Sequence, residues 1–304
     1  MIIYSIIQKT YSQEKITEKN MQLTDITTVK KIMQENGLSF HKKFGQNFLV
    51  SSAVPGKIAD AGAGKNTLEI GPGIGTLTRE LSARSERVVA VEIDRELIPV
   101  LSQTLSDCRN VTVINNDIMQ TDIEALTEEY FDGGEFCVCA NLPYYITTPI
   151  IMKLLEDAHG VAGITVMVQK EVADRICAPA GSPDYGAISA AVAYYGRAEK
   201  IMRVSPGSFI PAPKVESAVI KITPHKELPV SCDRDMLFRV VRAAFAQRRK
   251  TLVNCLSAEF SMPKNAVSDM VSSCGFDTRV RGEKLGIKDF AVLVQALMKN
   301  MAKI

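Results

Sequence analysis

The sequence is poor in the residues that build metal and redox centres. Its three histidines, His41, His159 and His225, are scattered, with no carboxylate or thiol at ligand spacing, which argues against a metal site. The seven cysteines are an odd number and contain no C-x-x-C pair. Cys137 and Cys139 share one face of an apolar strand and read as small buried hydrophobes, in keeping with a reducing cytoplasm. No apolar run reaches the roughly 18 residues of a membrane span. The opening Met1-Ile2-Ile3-Tyr4-Ser5-Ile6-Ile7 lacks the basic lead and small-residue cleavage site of a signal peptide. Internal repeats and low-complexity tracts are also missing. These absences point to a cytoplasmic globular chain, expected to be a monomer, with neither a membrane nor a metal as partner.

What is present is room for a large domain and a smaller one in 304 residues. Residues 1–20 are polar, aperiodic and followed by a second methionine, and are expected to form a disordered leader. The body is expected over 21–226 and a small all-helical domain over 227–304, joined by a linker at 224–229. The net charge of +2 hides an asymmetry: residues 227–304 carry thirteen Lys and Arg against eight Asp and Glu, whereas the remainder is mildly acidic. A basic tail domain suggests a polyanionic partner.

Within the body, short apolar runs alternate with helical periodicity. Helices are predicted from Asp25 to a stop at Gly37, over 52–61, through Leu77, Leu81 and Ala83, over 95–105 and around 170–177. Strands are predicted at 67–70, 88–91, 111–114, 136–140 and 164–168, with an alternating late strand at 215–222 that closes the sheet. Strands separated by helices imply right-handed crossovers and an α/β fold whose mostly parallel sheet has helices on both faces. The tail reads as helices over 233–247, 249–259, 263–273 and 287–301.

Ligands in such sheets bind beyond the carboxyl ends of the strands, and the unusual residues fall there. Gly71-Pro72-Gly73-Ile74-Gly75 allows a tight turn and close backbone approach to a ligand, although a plain strand-to-helix turn reads the same way. Glu92, 17 positions beyond Gly75, ends the second strand, where a carboxylate can accept from both hydroxyls of a ribose. A dinucleotide enzyme has the same arrangement. Pro72, however, removes a backbone donor that a pyrophosphate would use, and S-adenosyl-L-methionine, a sulfonium, carries no phosphate. Asp117 ends the third strand and can accept from an adenine amino group, or serve as an ordinary turn residue.

Asn141-Leu142-Pro143-Tyr144, after the fourth strand, decides the reading. An adenine amino nitrogen is a poor nucleophile because its lone pair is delocalised into the ring. The Asn141 side-chain oxygen and the Leu142 carbonyl can accept both amino hydrogens and draw the nitrogen towards a tetrahedral shape. Pro143 stiffens the turn, and Tyr144 can stack on a flipped base. Arg239, Arg242, Arg248, Arg249 and Lys250 bring five positive charges without an acid between 239 and 250. On a helix beside the site they would grip phosphates; otherwise they form a solvated face.

These motifs together resemble the bacterial small-subunit ribosomal RNA adenine dimethyltransferases. The likeness runs from Asp25 to Met298 and includes FGQNFL at 44–49, EIGPGIGTLT at 69–78, VEID at 91–94, NNDI at 115–118, NLPYYITTPI at 141–150, MVQKEVADR at 167–175, FIPAPKVESAV at 209–219 and FAQRRKTL at 245–252. The resemblance implies a Rossmann-like class I methyltransferase domain followed by a small helical domain. It implies S-adenosyl-L-methionine as cofactor and 16S rRNA of an immature small subunit as partner, with two methyls placed on N6 of each of two adjacent adenosines in a hairpin loop near the 3′ end. By the same resemblance, cofactor contacts fall on Asn47, Leu49, Gly71, Glu92, Asp117 and Asn141, with Gly73 in the same loop, and target-base contacts on Asn141, Leu142, Tyr144 and Phe209. Residues 1–20 are not needed by the family pattern. Three alternatives stay open: a large-subunit RNA adenine methyltransferase conferring macrolide resistance, a mainly non-enzymatic assembly checkpoint factor, and a nicotinamide oxidoreductase.

Overall fold

The computed structural model describes residues 22–38, 46–157 and 159–301. The expected leader, and residues 39–45 of the basic aromatic loop, lie outside the described residues. Helix α1 (Ile26–Glu35) starts where Asp25 caps it, its carboxylate accepting the Thr28 N–H at 2.7 Å, and Gly37 follows it at φ +65°. A two-residue strand β1 (Phe48–Leu49) leads to α2 (Ala53–Gly62).

The alternating body follows: β2 (Asn66–Ile70), α3 (Thr76–Ser82), β3 (Arg87–Glu92), α4 (Ile98–Thr104), β4 (Val111–Asn115), α5 (Ile123–Phe131), β5 (Phe136–Asn141), α6 (Thr147–Asp157), β6 (Val161–Gln169) and α7 (Lys170–Ile176). After it come α8 (Ala187–Tyr195), β7 (Gly196–Val204), β8 (Phe209–Ile210) and β9 (Ser217–Pro224). Seven strands form one sheet in the order β4-β3-β2-β5-β6-β9-β7. All neighbours from β4 to β6 pair in parallel, and β9 runs antiparallel to both β6 and β7. The sheet is therefore the expected Rossmann-like one, mostly parallel.

Strands β3, β5 and β6 are largely apolar because helices cover both faces of the sheet. Leu68, Val89, Val138, Val166 and Ile220 build one buried layer, and Ile58, Leu81, Val88, Met167 and Val219 another. Gly62, the last residue of α2, shows how tightly that helix lies on the sheet. A Cβ there would stand 2.5 Å from the Thr165 Cβ and 2.7 Å from the Cys139 Sγ. We expect Gly62→Val to destabilise the fold by about 1–3 kcal/mol through overpacking, read as a lower melting temperature; an unchanged melt would mean that α2 is free to move off the sheet.

The C-terminal region is helical: α9 (Arg234–Ala246), α10 (Leu252–Phe260), α11 (Lys264–Ser273) and α12 (Ile287–Met301). Leu237, Val241, Leu256, Val271, Phe290 and Leu297 form its core, which also takes in Tyr185, Ala190 and Tyr194. None of the helices among the described residues is long and apolar enough to cross a membrane.

Two sequence expectations need correction. The late strand does not close the sheet: β9 is interior, and the edge is β7, whose polar face and register shift near Lys200 and Met202 hide its alternation. The consecutive cations Arg248, Arg249 and Lys250 are not on a helix but in the turn between α9 and α10, because Thr251, not residue 249, caps α10.

Candidate active site

In the sheet, β2 is flanked by β3 on one side and β5 on the other. The chain leaves β2 towards β3 and β4 and returns to β5 across β2, so the loops after β2 and β5 diverge and open a crevice. Registers Ile70↔Val91 and Ile70↔Ala140 bring the glycine loop, Glu92 and Asn141 to one level. The cleft there is lined by Asn47, Leu49, Gly71, Gly73, Glu92, Asn141, Leu142, Pro143 and Tyr144 among others.

The glycine loop is pinned by Glu92. One Glu92 carboxylate oxygen accepts the Gly73 N–H at 3.0 Å and the other the Asp94 N–H at 2.9 Å. Gly73 sits at φ +61° with the Phe48 ring 3.1 Å from where its Cβ would be, so a side chain is excluded by both conformation and space. Glu92 is nearly buried, and burial pushes its carboxyl up to about 7 against the two backbone donors, which act to lower it. Glu69 on the same wall is fully enclosed and is pushed up to about 8 by burial, with the Glu92 charge adding to the shift.

The far wall is the turn after β5. Asn141 donates its Nδ2 to the Asn47 carbonyl at 3.0 Å. That bond fixes which way the amide points and, among the described residues, leaves its oxygen uncommitted. Leu142 buries its side chain and donates its N–H to the Met167 carbonyl at 3.2 Å, while its own carbonyl receives no hydrogen bond from the described residues. The Pro143 carbonyl accepts from Ile146 N–H at 3.2 Å and from the Thr147 hydroxyl at 3.1 Å, locking the turn into α6. The Tyr144 hydroxyl lies 2.7 Å from the Ser217 Oγ, and burial raises its pKa, so the phenol stays neutral.

Asn47 and Leu49 reach the cleft because β1 pairs antiparallel with β8, Phe48 opposite Ile210 and Leu49 opposite Phe209. Gln46 extends the anchorage, donating to the Asp94 carboxylate at 2.6 Å.

A family model described as ribosomal RNA adenine dimethylase matches residues 37–299. The chain belongs to that family. This dimethylase is 44% identical over 287 residues to the ribosomal RNA small subunit methyltransferase A of Bacillus mycoides (strain KBAB4), covering 91% of this chain and 98% of that protein. The relative of the same name from Bacillus cereus (strain AH187) matches equally well. Among solved structures, a dimethyladenosine transferase from Plasmodium falciparum has a TM-score of 0.69 at 24% identity, covering 83% of this chain and 98% of that one. The 23S rRNA methyltransferase ErmE has a TM-score of 0.64, also at 24% identity, covering 83% and 100%. At such identity these two share the fold.

The dimethylase draws its methyl groups from S-adenosylmethionine, and the cleft fits that molecule. A buried Glu69 oxygen has no hydrogen-bond partner among the described residues, which suits a ligand carrying an ammonium and a sulfonium. At Gly71, with φ +68°, even a Cβ would meet nothing within 4 Å, so the backbone is open to a ligand. Glu69 was missed in the sequence, although a lone acid inside a strand just before a glycine loop was a usable signal. Ile93, 45% exposed on the cleft lip, and Ser217, which fixes Tyr144, gave no comparable signal.

Not every expected site residue reaches the cleft. Asp117 is half-buried, does not line it, and spends its carboxylate on its own turn, accepting from Met119 N–H at 2.9 Å and the Gln120 amide at 3.5 Å. Phe209 is buried in the cluster with Leu49, Met167 and Val219 and is not on the cleft wall. The basic cluster also divides. Arg239 pairs with Glu259 at 2.7 Å and covers the Phe260 ring at 4.5 Å, bracing α9 on α10. Arg242 faces a groove between α6, α8 and α9. Arg248, Arg249 and Lys250 are exposed in their turn, where Arg248 donates to the Pro183 carbonyl.

Proposed function

We propose that this dimethylase methylates N6 of two adjacent adenosines in a hairpin loop near the 3′ end of 16S rRNA, in an immature small subunit, giving N6,N6-dimethyladenosines. The observation that carries the reading is the Asn141 amide, turned by the Asn47 carbonyl so that its oxygen and the Leu142 carbonyl are both left to accept. Two such acceptors suit the two hydrogens of an exocyclic amino group. The relatives at 44% identity, named for the small subunit, favour that RNA over the large one.

Glu92 and the backbone at Gly71 and Gly73 hold the cofactor's ribose and methionine ends, and Asn47 and Leu49 wall its other side. Asp117 would contact the cofactor's adenine by giving up its turn bonds, and Phe209 would reach the target base by leaving its cluster. The bound sulfonium supplies an electrophilic methyl. Asn141 and Leu142 accept from the amino group and aim its lone pair, while the locked turn at Pro143 and the Ser217-held Tyr144 keep the base in place. The cleft wall offers Glu69, Glu92, Tyr144 and Tyr145 as titratable groups. Both carboxyls are buried and Glu92 is spent on the glycine loop, so on this reading positioning rather than a general base carries the chemistry, and the proton leaves to water once the alkylated nitrogen is acidic.

Incubating unmethylated small subunits with the purified protein and cofactor, then digesting the RNA for mass spectrometry, tests this. Dimethyladenosine at two adjacent positions is expected; small-subunit RNA left unmodified, with large-subunit RNA methylated in a parallel incubation, would overturn the reading.

The exposed turn of Arg248, Arg249 and Lys250 would hold RNA phosphates, which position a substrate without reading its sequence. Replacing Arg248 and Arg249 with Ala should weaken subunit binding and flatten the log–log salt slope by roughly one to two units. Cofactor affinity should stay the same. A lowered melting temperature with an unchanged slope would instead make these arginines internal braces.

A further inference from the structure

We propose that Tyr145 is the platform on which the base next to the reacting adenine stacks. Tyr145 is 62% exposed and is the sole exposed Phe or Tyr among the described residues. It nevertheless lines the cleft beside Asn141 to Tyr144. Its neighbour is held quite differently: Tyr144 is half-buried with its hydroxyl on Ser217, whereas no hydrogen bond or ring contact engages Tyr145 among the described residues. The backbone beneath it is rigid, closed by the Pro143–Ile146 hydrogen bond and by Thr147. A large ring left in water on a fixed support loses hydrophobic stabilisation in the free protein and regains it when something flat covers it.

The proposed reaction, on which this inference rests, supplies such an object. An adenine drawn out of its stack leaves the π-face of its neighbour bare. With two adjacent adenosines as targets, either one in the cleft leaves the other unstacked. Glu69 and Glu92 are the acidic side chains on the cleft wall among the described residues, and both are buried. Among the described residues of the cleft wall none is cationic, whereas the ring of Tyr145 stands at the lip, where it can hold the neighbouring nucleotide by its base. Stacking on an aromatic side chain tolerates any base but strengthens with its π-surface, which favours a purine neighbour.

The test is steady-state methylation of unmethylated small subunits by Tyr145→Ala and Tyr145→Phe, with a second substrate in which the neighbouring adenosine is replaced by uridine. Tyr145→Ala should raise KM for subunits about tenfold, with kcat, cofactor affinity and melting temperature near wild type. Tyr145→Phe should restore wild-type KM, because the ring and not the hydroxyl is used. On the uridine substrate the Tyr145→Ala penalty should shrink. A wild-type KM in Tyr145→Ala, a Phe variant as weak as the Ala variant, or a penalty indifferent to the neighbouring base would each overturn the assignment while leaving the enzyme's function intact. A wild-type protein that left small-subunit adenosines unmodified would overturn both readings together.

Discussion

Asn141→Ala is expected to lower single-turnover methylation by about a hundredfold or more, the cost of removing one well-placed acceptor from a preorganised site. The structure adds a reason why a close substitute should fail too. The Asn141 Nδ2 donates to the Asn47 carbonyl, and this bond leaves the side-chain oxygen to the substrate. An aspartate at 141 keeps an acceptor but loses the donor and sets a negative charge against that carbonyl. Asn141→Asp should therefore be nearly as inactive as Asn141→Ala. Cofactor binding should weaken but stay measurable in both, since Glu92 and the glycine loop are untouched. Rates within tenfold of wild type at saturating cofactor would refute the amino-orienting role.

Substituting Glu92 should act on the cofactor first. A charged hydrogen bond is worth roughly 1.5–3 kcal/mol, or about ten- to hundredfold in Kd. Ala would also strip the Gly73 and Asp94 N–H groups of their acceptor, so Gln, which keeps one oxygen, is the cleaner variant. The buried carboxyl has its pKa raised to about 7. Below that pH the free protein carries a proton that must leave before the carboxylate can accept from ribose. Wild-type affinity should consequently rise with pH up to about 7 and then level off, whereas Glu92→Gln should be weak and flat. In stability the sign is opposite. An acid whose pKa rises on folding favours the folded state below its unfolded value of 4.5, and that contribution is lost as pH climbs to about 7. Calorimetry showing the same affinity in both proteins across pH 6–8 would remove Glu92 from the cofactor site.

Much of this architecture is legible in the sequence because its signals are local. A strand buried on both faces, such as β3 with its apolar run Val88–Val91, reads as a strand without alternation, and a helix start can announce itself by its cap, as Asp25 does. The glycines that need positive φ and the Asn-Leu-Pro-Tyr turn announce themselves where they stand. Legibility fails where burial removes periodicity or irregularity masks it. Helix α8 is apolar on nearly every side because it lies between the sheet and the C-terminal core, so no amphipathic stripe marks it. Helix α6 opens with Thr-Thr-Pro, a weak helical start on propensity.

The sequence by itself determined which residues end the strands, and hence the chemistry on offer: a glycine loop, a carboxylate, and a side-chain amide beside a free carbonyl. Only the tertiary structure decided how they meet. That β2 adjoins β5, that β1 joins β8 across some 160 residues of chain, and that the Asn47 carbonyl turns an amide 94 positions away are pairings between distant segments. Periodicity reports that a side chain is buried, never against what. Charge shows the same limit: the cations at 239–250 look alike in sequence, yet Arg239 is spent on Glu259 while Arg249 and Lys250 stay exposed, because each one's surroundings are set by where α9 ends and what α10 brings against it.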